Sequence, residues 1–529
     1  MGDAELEARQ CLINPEYDPL PTSLLRCLYV GHFLSRWSAR MWEFSVALYM
    51  INIWPDSLLL TALYGVVESA SVALFGPIIG EWVNTLAYVK VLQLWTVSQN
   101  LSFIAAGVAV MVLLVYSSLK SIIFTPLVLV TYLSGAVAVL STLAGTILIE
   151  REWVVVMSED QPTGVLAKLN SVLRRIDLVC KLCAPVVSGF IVSFVSLTAS
   201  AIFLALWNVV SVCVEYWLLS SVYEGIPALR LKDSNRKQNP SSDPEPSKSI
   251  SEQNSDLPIE NKNNIPSPET HAFGCFSILP CLGAWKVYLN QEVVLPGLSL
   301  ALLFFTVLRY IFNLTLLIVL GFSLTERNRK NDILCWSSCS FGSLMTAVLE
   351  WEGIPAYQIG IARGISAIVG ITATFTYPIL ESKIATLRTG LWSIWSQWSI
   401  LLICVGSIWV KNKLPSAYML MSGVAASRLG LWMFDLAVIQ QMQDQVPASD
   451  RCIVGGVQNS IQSAMDLLGY IMGVIVSNPE HFWVLILISF VIVTSAAILY
   501  TLHIWRVRKH LFHFDKLYGL TQRFLGSSS

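Results

Sequence analysis

Two arginines and a glutamate inside a long apolar run constrain this chain more than any other feature. The run extends from about Leu24 to Trp54 and contains Arg36, Arg40 and Glu43. It is long enough for a helix that crosses a bilayer. A charge at the bilayer centre costs from about 2.5 kcal/mol upwards, so such side chains turn towards a protein interior or an aqueous cavity. At helical spacing the three charges lie near one face, which predicts a first transmembrane helix that lines a central pathway.

The composition excludes an ordinary soluble protein. Hydrophobic residues make up 54% of the 529 residues and charged residues only 13%, whereas soluble domains average about 25% charged residues. The net charge of −1 gives no indication of nucleic-acid binding. No paired-histidine metal motif and no glycine-rich phosphate loop is present in the sequence. We therefore expect a polytopic membrane protein that is not an enzyme, has no cofactor and binds no nucleic acid.

Apolar runs divide the chain into two halves. Residues 229–271 are rich in Ser, Asn, Pro, Glu and Lys and nearly lack aromatic residues, so they cannot bury enough apolar area to fold. The run that ends near residue 149 is expected to lead into a polar connection beginning at Glu150-Arg151-Glu152. The predicted organisation is an N-terminal tail over 1–23, a six-helix lobe over 24–223, a cytosolic and largely disordered linker over 224–285, a second six-helix lobe over 286–508 and a C-terminal tail over 509–529.

The distribution of basic residues predicts the orientation in the membrane. The turns at 55–57, 196–198 and 478–481 carry no Lys or Arg. Basic residues gather in the linker and at Lys383, Arg388, Arg451, Arg506, Arg508 and Lys509. Because cytosolic loops carry the excess of Lys and Arg, both termini and the linker are expected in the cytosol. Two six-helix lobes joined by a long cytosolic loop are typical of a major-facilitator-type transporter, an all-α polytopic fold of about twelve transmembrane helices.

One stretch of the second lobe does not fit a simple span. Residues 309–339 include the charged run Glu326 to Lys330, and the apolar piece that follows, Ser340 to Leu349, is too short to cross a bilayer. Joining Leu308 directly to Ser340 would restore one continuous helix. We interpret 309–339 as an insertion, such as a translated intron, and a genuine broken helix or re-entrant loop is the alternative.

Several segments, in order along both halves, carry a family resemblance; they include LSRWSARMWEFSVALY (34–49), EREWVVV (150–156), LRRID (173–177), WNVVSVCVEY (207–216), RLGLWMFDL (428–436) and GVQNS (456–460). With these segments the chain resembles the ferroportin family of iron exporters (solute carrier family 40), and among them the plant members. The resemblance implies a twelve-helix facilitator fold that exports ferrous iron, and often cobalt or nickel, from the cytosol by alternating access coupled to protons. A facilitator-type transporter of a small organic solute and a non-functional product of an aberrant transcript remain alternatives.

The resemblance implies a metal site in the first lobe. The family uses a carboxylate and a histidine of the first helix and an asparagine of the sixth, and these positions here hold Ala39, Glu43 and Asn208. Oxygen atoms of Glu43, Asn208 and Ser211 suit a hard or borderline divalent ion. A structural ion pair of Glu43 with Arg40 or another arginine of the same helix is the alternative.

Other family positions carry charged residues that are candidates for gating or proton coupling. Buried charges in transporters act as proton sites or hold one lobe against the other, and pairing that only satisfies buried charge is the alternative. Two family gate positions here hold Tyr88 and Asn84, so we expect that gate to be weaker or rearranged. The gating candidates are Arg40, Glu81, Glu152, Arg174, Asp177, Arg428 and Asp435.

The remaining expectations concern a second metal site, the binding partners and the membrane location. A cysteine and a histidine that bind metal in animal relatives correspond to Ser343 and Ala497, so a second-lobe metal site is expected to be missing. The expected partners are a divalent metal ion, Fe²⁺ being the transported substrate, and the lipid bilayer around a monomer. The expected location is multi-pass in the plasma membrane or the vacuolar membrane.

Overall fold

The computed structural model describes residues 20–53, 59–115, 121–162, 164–238, 280–305, 356–410, 412–475 and 482–508, which are helical apart from short turns. The first lobe consists of residues before the central linker. Its helices are α1 (Thr22–Ile53), α2 (Leu59–Thr85), α3 (Tyr88–Val115), α4 (Ser121–Thr146), α5 (Val154–Ser158), α6 (Val165–Phe194), α7 (Leu197–Gly225) and α8 (Pro227–Gln238).

The described part of the second lobe follows the same plan. A 3₁₀ turn, Ser407–Trp409, follows its fourth helix. The helices are α9 (Pro280–Leu289), α10 (Val294–Phe304), α11 (Ala356–Ile384), α12 (Thr386–Gly406), α13 (Lys413–Gln445), α14 (Arg451–Ile475) and α15 (Phe482–Arg508).

Length and hydropathy identify the helices that can cross a membrane. Within the described ranges, eight helices are long and apolar enough to span, or nine if α9 and α10, which meet at 112°, form one broken span. Helices α1, α6 and α14 are also long, but they mix polar and charged side chains with apolar ones and are not among those eight. The all-α polytopic fold predicted from the sequence is confirmed.

The expected polar connection at Glu150 is wrong, because the helix continues through it. Residues Ile147–Trp153 form a π-helix that joins α4 to α5, and the chain turns only after Ser158. Arg151 and Glu152 are buried inside this helix. The sequence alone misassigned them since charge usually marks a loop, and here Arg236 on a distant helix compensates the charge of Glu152.

The linker also begins later than predicted. Residues Pro227–Gln238 form α8, and Asp233 on it is fully buried. Composition underestimated this segment because its order comes from the contacts of Asp233 with α3 and α7 and from the buried side chain of Leu229, which few other apolar residues accompany. Residues 239–279 of the predicted linker and the predicted insertion over 309–339 lie outside the described residues, whereas residues 280–285 belong to α9.

The two lobes meet closely where α2 crosses α14. A Cβ atom placed on Gly456 of α14 would lie 2.4 Å from the carbonyl oxygen of Gly76 and 2.8 Å from Cα of Gly80. Real Cβ atoms do not approach other atoms that closely, so only glycine allows the two backbones to pack at this distance. Ser460, one turn further along α14, donates a hydrogen bond to the carbonyl oxygen of Ala73 on α2. Small residues therefore hold one helix of each lobe in direct backbone contact.

Candidate metal pathway and cytosolic gate

The charges of α1 form ion pairs within the first lobe. Arg40 contacts the carboxylate of Glu43 at 2.6 Å and that of Asp177 on α6 at 2.9 Å. Arg36 contacts Glu150 at 3.2 Å and donates a hydrogen bond to Thr146 at 2.7 Å. All of these side chains are wholly or partly sheltered from solvent. The polar face of α1 thus meets α6 and the π-helix, as its charge pattern requires.

A second set of contacts continues this charge chain into the other lobe. Arg174 lies 3.9 Å from Asp177 and pairs with Asp435 on α13. Its guanidinium also lies 5.3 Å from the ring centre of Trp432. Acidic and basic groups therefore alternate from α1 through α6 to α13. Since Arg174 and Asp435 belong to different lobes, their ion pair holds the lobes together.

Neutral polar contacts lie beside that ion pair. Gln443 of α13 donates hydrogen bonds to the side chain of Asn170 at 3.1 Å and to the carbonyl oxygen of Glu150. On the other side, Arg175 of α6 donates to Thr374 of α11 at 3.2 Å. The carboxyl-terminal half of α13 and the amino-terminal half of α6 are consequently bound together side chain by side chain.

The buried carboxylate of Glu152 forms a separate junction between the lobes. It accepts hydrogen bonds from the hydroxyl of Tyr88 at 2.9 Å and from the thiol of Cys452 on α14 at 3.3 Å. It also pairs with Arg236 of α8 at 3.3 Å. The guanidinium of Arg236 lies 4.5 Å from the ring centre of Tyr88 and donates to the carbonyl oxygen of Val83 at 3.0 Å. We call Tyr88, Glu152, Arg236 and Cys452 the linker latch.

Helix α8 carries Arg236, the cation of the linker latch, and Asp233 anchors this helix to α3 and α7. Asp233 accepts a hydrogen bond from the backbone nitrogen of Tyr88, the first residue of α3, at 2.8 Å, and another from the hydroxyl of Tyr223 at 2.8 Å. A carboxylate at a helix amino terminus satisfies free N–H groups and the helix dipole. Burial lowers the pKa of Arg236, but the carboxylate of Glu152 outweighs that effect and the pKa is raised.

Sequence reasoning missed Arg236 because it lies in a segment of disordered composition. The expectation of a rearranged gate at Tyr88 has a direct structural counterpart, since Tyr88 donates to Glu152 and Arg236 brings the positive charge. Two other gating candidates are placed differently. Glu81 forms no ion pair with any residue that the structure describes, and Arg428 is buried on α13 two turns from Asp435.

The predicted metal donors are only partly brought together. Asn208 and Ser211 lie one turn apart on the buried face of α7, and the amide oxygen of Asn208 and the hydroxyl of Ser211 have no hydrogen-bond partner among the described residues. The indole of Trp207 donates to Ser38 at 3.2 Å, which holds this part of α7 against α1. Glu43 faces Arg40 instead, in the ion pair given above.

A buried carboxylate that the sequence analysis did not single out continues the same face of α7. Glu215 is fully buried one turn beyond Ser211, and its Oε2 lies 3.5 Å from the amide nitrogen of Asn100 on α3. Its second oxygen and the amide oxygen of Asn100 have no hydrogen-bond partner among the described residues. The spacing 208, 211 and 215 is the sequence signal for one polar stripe inside an apolar helix.

The stripe offers amide, hydroxyl and carboxylate oxygens, and not a dense cluster of strong ligands. In the part of the chain that the structure describes, no three His, Cys, Asp or Glu side chains come together. Oxygen donors of this mixture suit hard or borderline divalent ions. In the second lobe Ala497 is buried on α15 and offers no donor, and Ser343 lies outside the described residues.

Comparison with known proteins decides the family. The sequence matches the family model described as Ferroportin1 (FPN1) over residues 22–316 and 332–493. The chain belongs to the ferroportin family. Members of this family are transporters and not enzymes, and the match extends through both lobes. The unmatched residues 317–331 lie inside the segment predicted as an insertion, which stays a prediction.

Relatives confirm this placement over nearly the whole length. The chain is 56% identical over 505 residues to solute carrier family 40 member 1 of Arabidopsis thaliana, covering 93% of this chain and 89% of the relative. It is 55% identical to member 2 of the same plant over 534 residues, covering 97% and 98%. The ferroportin of Homo sapiens is 31% identical over 554 residues, covering 90% of each chain.

Solved structures show the same fold. The structure of a bacterial homologue of the iron transporter ferroportin in an outward-facing state has a TM-score of 0.70 to this chain, at 20% identity, and covers 91% of this chain and 99% of that one. The inward-facing structure of such a bacterial homologue has a TM-score of 0.55, at 20% identity, with coverage of 92% and 99%. The two-lobe transporter fold inferred from the sequence is confirmed.

Proposed function

We propose that this member of the ferroportin family exports ferrous iron from the cytosol by alternating access. The observation that carries the proposal is family membership across both lobes, together with relatives that are named as ferroportins and structures titled as homologues of an iron transporter. Cobalt and nickel are further substrates, and protons move in the opposite direction. Both termini lie in the cytosol, and the protein acts as a monomer in the plasma membrane or the vacuolar membrane.

The stripe on α7 is the proposed metal site of the first lobe. Asn208 and Ser211 supply neutral oxygens, and Glu215 supplies the negative charge that Ala39 does not. Glu43 joins this set when Arg40 is drawn to Asp177 alone. A site with few charged donors binds the ion weakly enough to release it, which transport requires and a structural metal site does not.

The contacts between the lobes form the proposed cytosolic gate. The pair Arg174–Asp435, the bonds of Gln443 and the linker latch all lie on the side where α1 begins and α13 ends, the side that the distribution of basic residues predicts to be cytosolic. We infer that the structure represents the state closed to the cytosol. Opening to take up metal breaks these contacts, and closing restores them.

Metal flux into proteoliposomes tests the proposed function. The purified full chain is expected to carry Fe²⁺ down its gradient, faster when protons can move the opposite way. Glu215→Gln and Asn208→Ala are expected to abolish flux, because each removes an oxygen or a charge from the stripe. Cys213→Ala is the matched control, since Cys213 is exposed on the other face of α7.

The outcomes distinguish an error in the proposed transport function from an error in the proposed metal site. A folded protein that moves no Fe²⁺, Co²⁺ or Ni²⁺ refutes the proposed function. Flux that persists undiminished in both stripe variants leaves the exporter standing and refutes this metal site. In that case Glu43→Ala tests whether the α1 carboxylate carries the ion without the stripe.

A further inference from the structure

The basic residues that predict the orientation are brought together at one place. An open cavity of about 500 Å³ lies where the end of α11, the start of α12 and the end of α15 meet, and Gly164 of the first lobe lines it as well. Lys383, Arg388 and Arg508 line this cavity, together with Glu381. They come from sequence positions up to 125 residues apart, counted from Lys383 to Arg508. We call this cavity the basic pocket.

Among the described residues, no acidic side chain forms an ion pair with the positive charges of the basic pocket. Within the described residues, Lys383, Arg388 and Arg508 take part in no ion pair, and Arg388 lies close enough to Arg508 for mutual repulsion. Glu381 is engaged by Thr386 and Gln440, each donating to it at 3.3 Å. Three positive charges against one negative charge leave an excess of two around a cavity.

Two helix amino termini add to the positive potential. Helix α12 begins at Thr386, directly after Ala385, which lines the pocket with a φ of 66°. Helix α6 begins after Gly164, which also lines it. First-turn N–H groups and the helix dipole favour an anion at such ends. The pocket therefore combines cationic side chains with two helix amino termini, which suits a phosphate group.

The surface around the pocket indicates that the phosphate belongs to a lipid. Trp392 lies one turn into α12 from Arg388 and is 67% exposed, and Trp505 lies one turn before Arg508 and is 55% exposed. Exposed tryptophans on membrane helices mark the level of the lipid headgroups. Ile379, exposed on α11 two residues before Glu381, extends an apolar surface from the pocket into the hydrocarbon region. Acyl chains on this surface would leave the headgroup in the pocket.

We propose that the basic pocket binds the phosphomonoester headgroup of an anionic lipid in the cytosolic leaflet. A phosphomonoester carries about −1.5 to −2 charges at pH 7, which matches the excess of two positive charges. Basic pockets between membrane helices on the cytosolic side bind phosphorylated headgroups in this way. Because Gly164 belongs to the first lobe and the cations to the second, a bound headgroup contacts both lobes only while their cytosolic ends are together. That second effect rests on the proposed alternating access, whereas binding itself does not.

Lipid titration of the purified full chain tests the proposal, with bound lipids counted by native mass spectrometry. Phosphatidic acid is the probe, phosphatidylserine controls for an anionic phosphodiester, and phosphatidylcholine controls for acyl chains. Arg388→Gln with Arg508→Gln is expected to weaken phosphatidic acid binding roughly 30-fold, since each cation near the surface contributes about fivefold. Changing both residues to Lys preserves most of the binding.

A matched control keeps the charge change and moves it elsewhere on the cytosolic side. Lys90→Gln with Arg230→Gln removes two exposed cations that do not line the pocket, and it is expected to bind like the unmodified chain. Size exclusion and thermal unfolding verify folding. If the double glutamine variant does not fold, Lys383→Gln replaces it, with about fivefold weaker binding expected because that exposed side chain loses one charge.

Three results would overturn the proposal. Unchanged phosphatidic acid binding in a folded variant that carries both Arg388→Gln and Arg508→Gln would show that the basic pocket is not the binding site. Binding of phosphatidylserine as tight as that of phosphatidic acid would show that the pocket does not select a phosphomonoester. Displacement of phosphatidic acid by an equal concentration of glycerol 3-phosphate shows that the source of the phosphate is a soluble compound, which overturns the assignment to a lipid. None of these results depends on whether the protein moves metal.

Discussion

Replacing Arg236 tests the linker latch more directly than any other change. The guanidinium pairs with the buried Glu152, lies over the ring of Tyr88 and donates to the carbonyl oxygen of Val83. Arg236→Gln removes the positive charge and the cation–π contact while keeping a polar side chain of similar length. Glu152 then remains buried with only the hydroxyl of Tyr88 and the thiol of Cys452 as partners.

The expected free-energy cost of Arg236→Gln follows from the burial of Glu152 and Arg236. Removing one partner of a buried ion pair costs about 3–5 kcal/mol. The side chain of Glu152 is 0% exposed but that of Arg236 is 15% exposed, and two hydrogen bonds to Glu152 survive, so we expect about 2 kcal/mol. We expect this cost to fall on the closed state, because opening moves Cys452 away and lets water solvate Glu152 in place of Arg236. The ratio of open to closed molecules should rise about 30-fold.

Alkylation of Cys452 measures that ratio. Its thiol is fully buried between the lobes in the closed state, so a maleimide added from the cytosolic side reacts only after opening. Peptide mass spectrometry separates Cys452 from the other cysteines. When opening is fast relative to alkylation, the rate scales with the open population. Losing a neighbouring cation by itself slows a thiol, so a faster reaction reports opening.

The controls fix the interpretation. Arg230→Gln makes the same charge change on an exposed position of α8 and is expected to alkylate like the unmodified chain. Arg236→Lys keeps the charge without the planar fork, so an intermediate rate is expected. An Arg236→Gln protein that folds and alkylates Cys452 at the unmodified rate would refute the view that α8 holds the lobes closed.

Three further predictions concern the lobe interface and the second lobe. Asp435→Asn should speed thiol alkylation about as much as the loss of Arg236, since it leaves the partly buried Arg174 with only the more distant Asp177 as an ion-pair partner among the described residues, and exchanging the two residues should restore the slow rate; a rate that stays fast in the exchanged protein contradicts this. Gly456→Ala should lower the thermal unfolding midpoint and open the cytosolic side, because its Cβ would lie 2.4 Å from a backbone oxygen of α2, whereas Gly65→Ala, with nothing within 4 Å, should do neither. Deleting residues 309–339 should leave Fe²⁺ flux at least as fast as in the full chain, and a loss of flux in a folded deletion variant would show that the segment is required.

The span pattern was predictable because it depends on local composition. A helix in a bilayer satisfies its own backbone hydrogen bonds and exposes apolar side chains to lipid, so length and hydropathy locate it without any partner. The apolar run from about Leu24 to Trp54, for example, corresponds to α1 at Thr22–Ile53. Charged residues in these spans were likewise recognisable as unfavourable in lipid. Which partner each of them takes was not, since partners come from distant parts of the chain.

The two main errors have the same origin. Glu150 to Glu152 and residues 227–238 were taken for polar connections because composition was the only guide. In the folded protein Glu152 of the first segment pairs with Arg236 of the second, so each supplies the charge that lets the other be buried. Composition indicates how a segment would behave by itself in water or lipid. It does not report whether two distant segments compensate each other's charge.

The sequence by itself determined that the chain crosses a membrane repeatedly and that α1 has a charged face, and it predicts which side the basic residues face; each of these follows from the transfer of side chains between water and lipid. Only the tertiary structure decided that Arg174 meets Asp435, that α8 returns to the lobe interface and that Lys383, Arg388 and Arg508 surround one pocket. Those contacts join residues far apart in the chain, and they exist because the helices pack at particular angles and depths. Packing depends on the shape of all the helices at once, which no local pattern specifies.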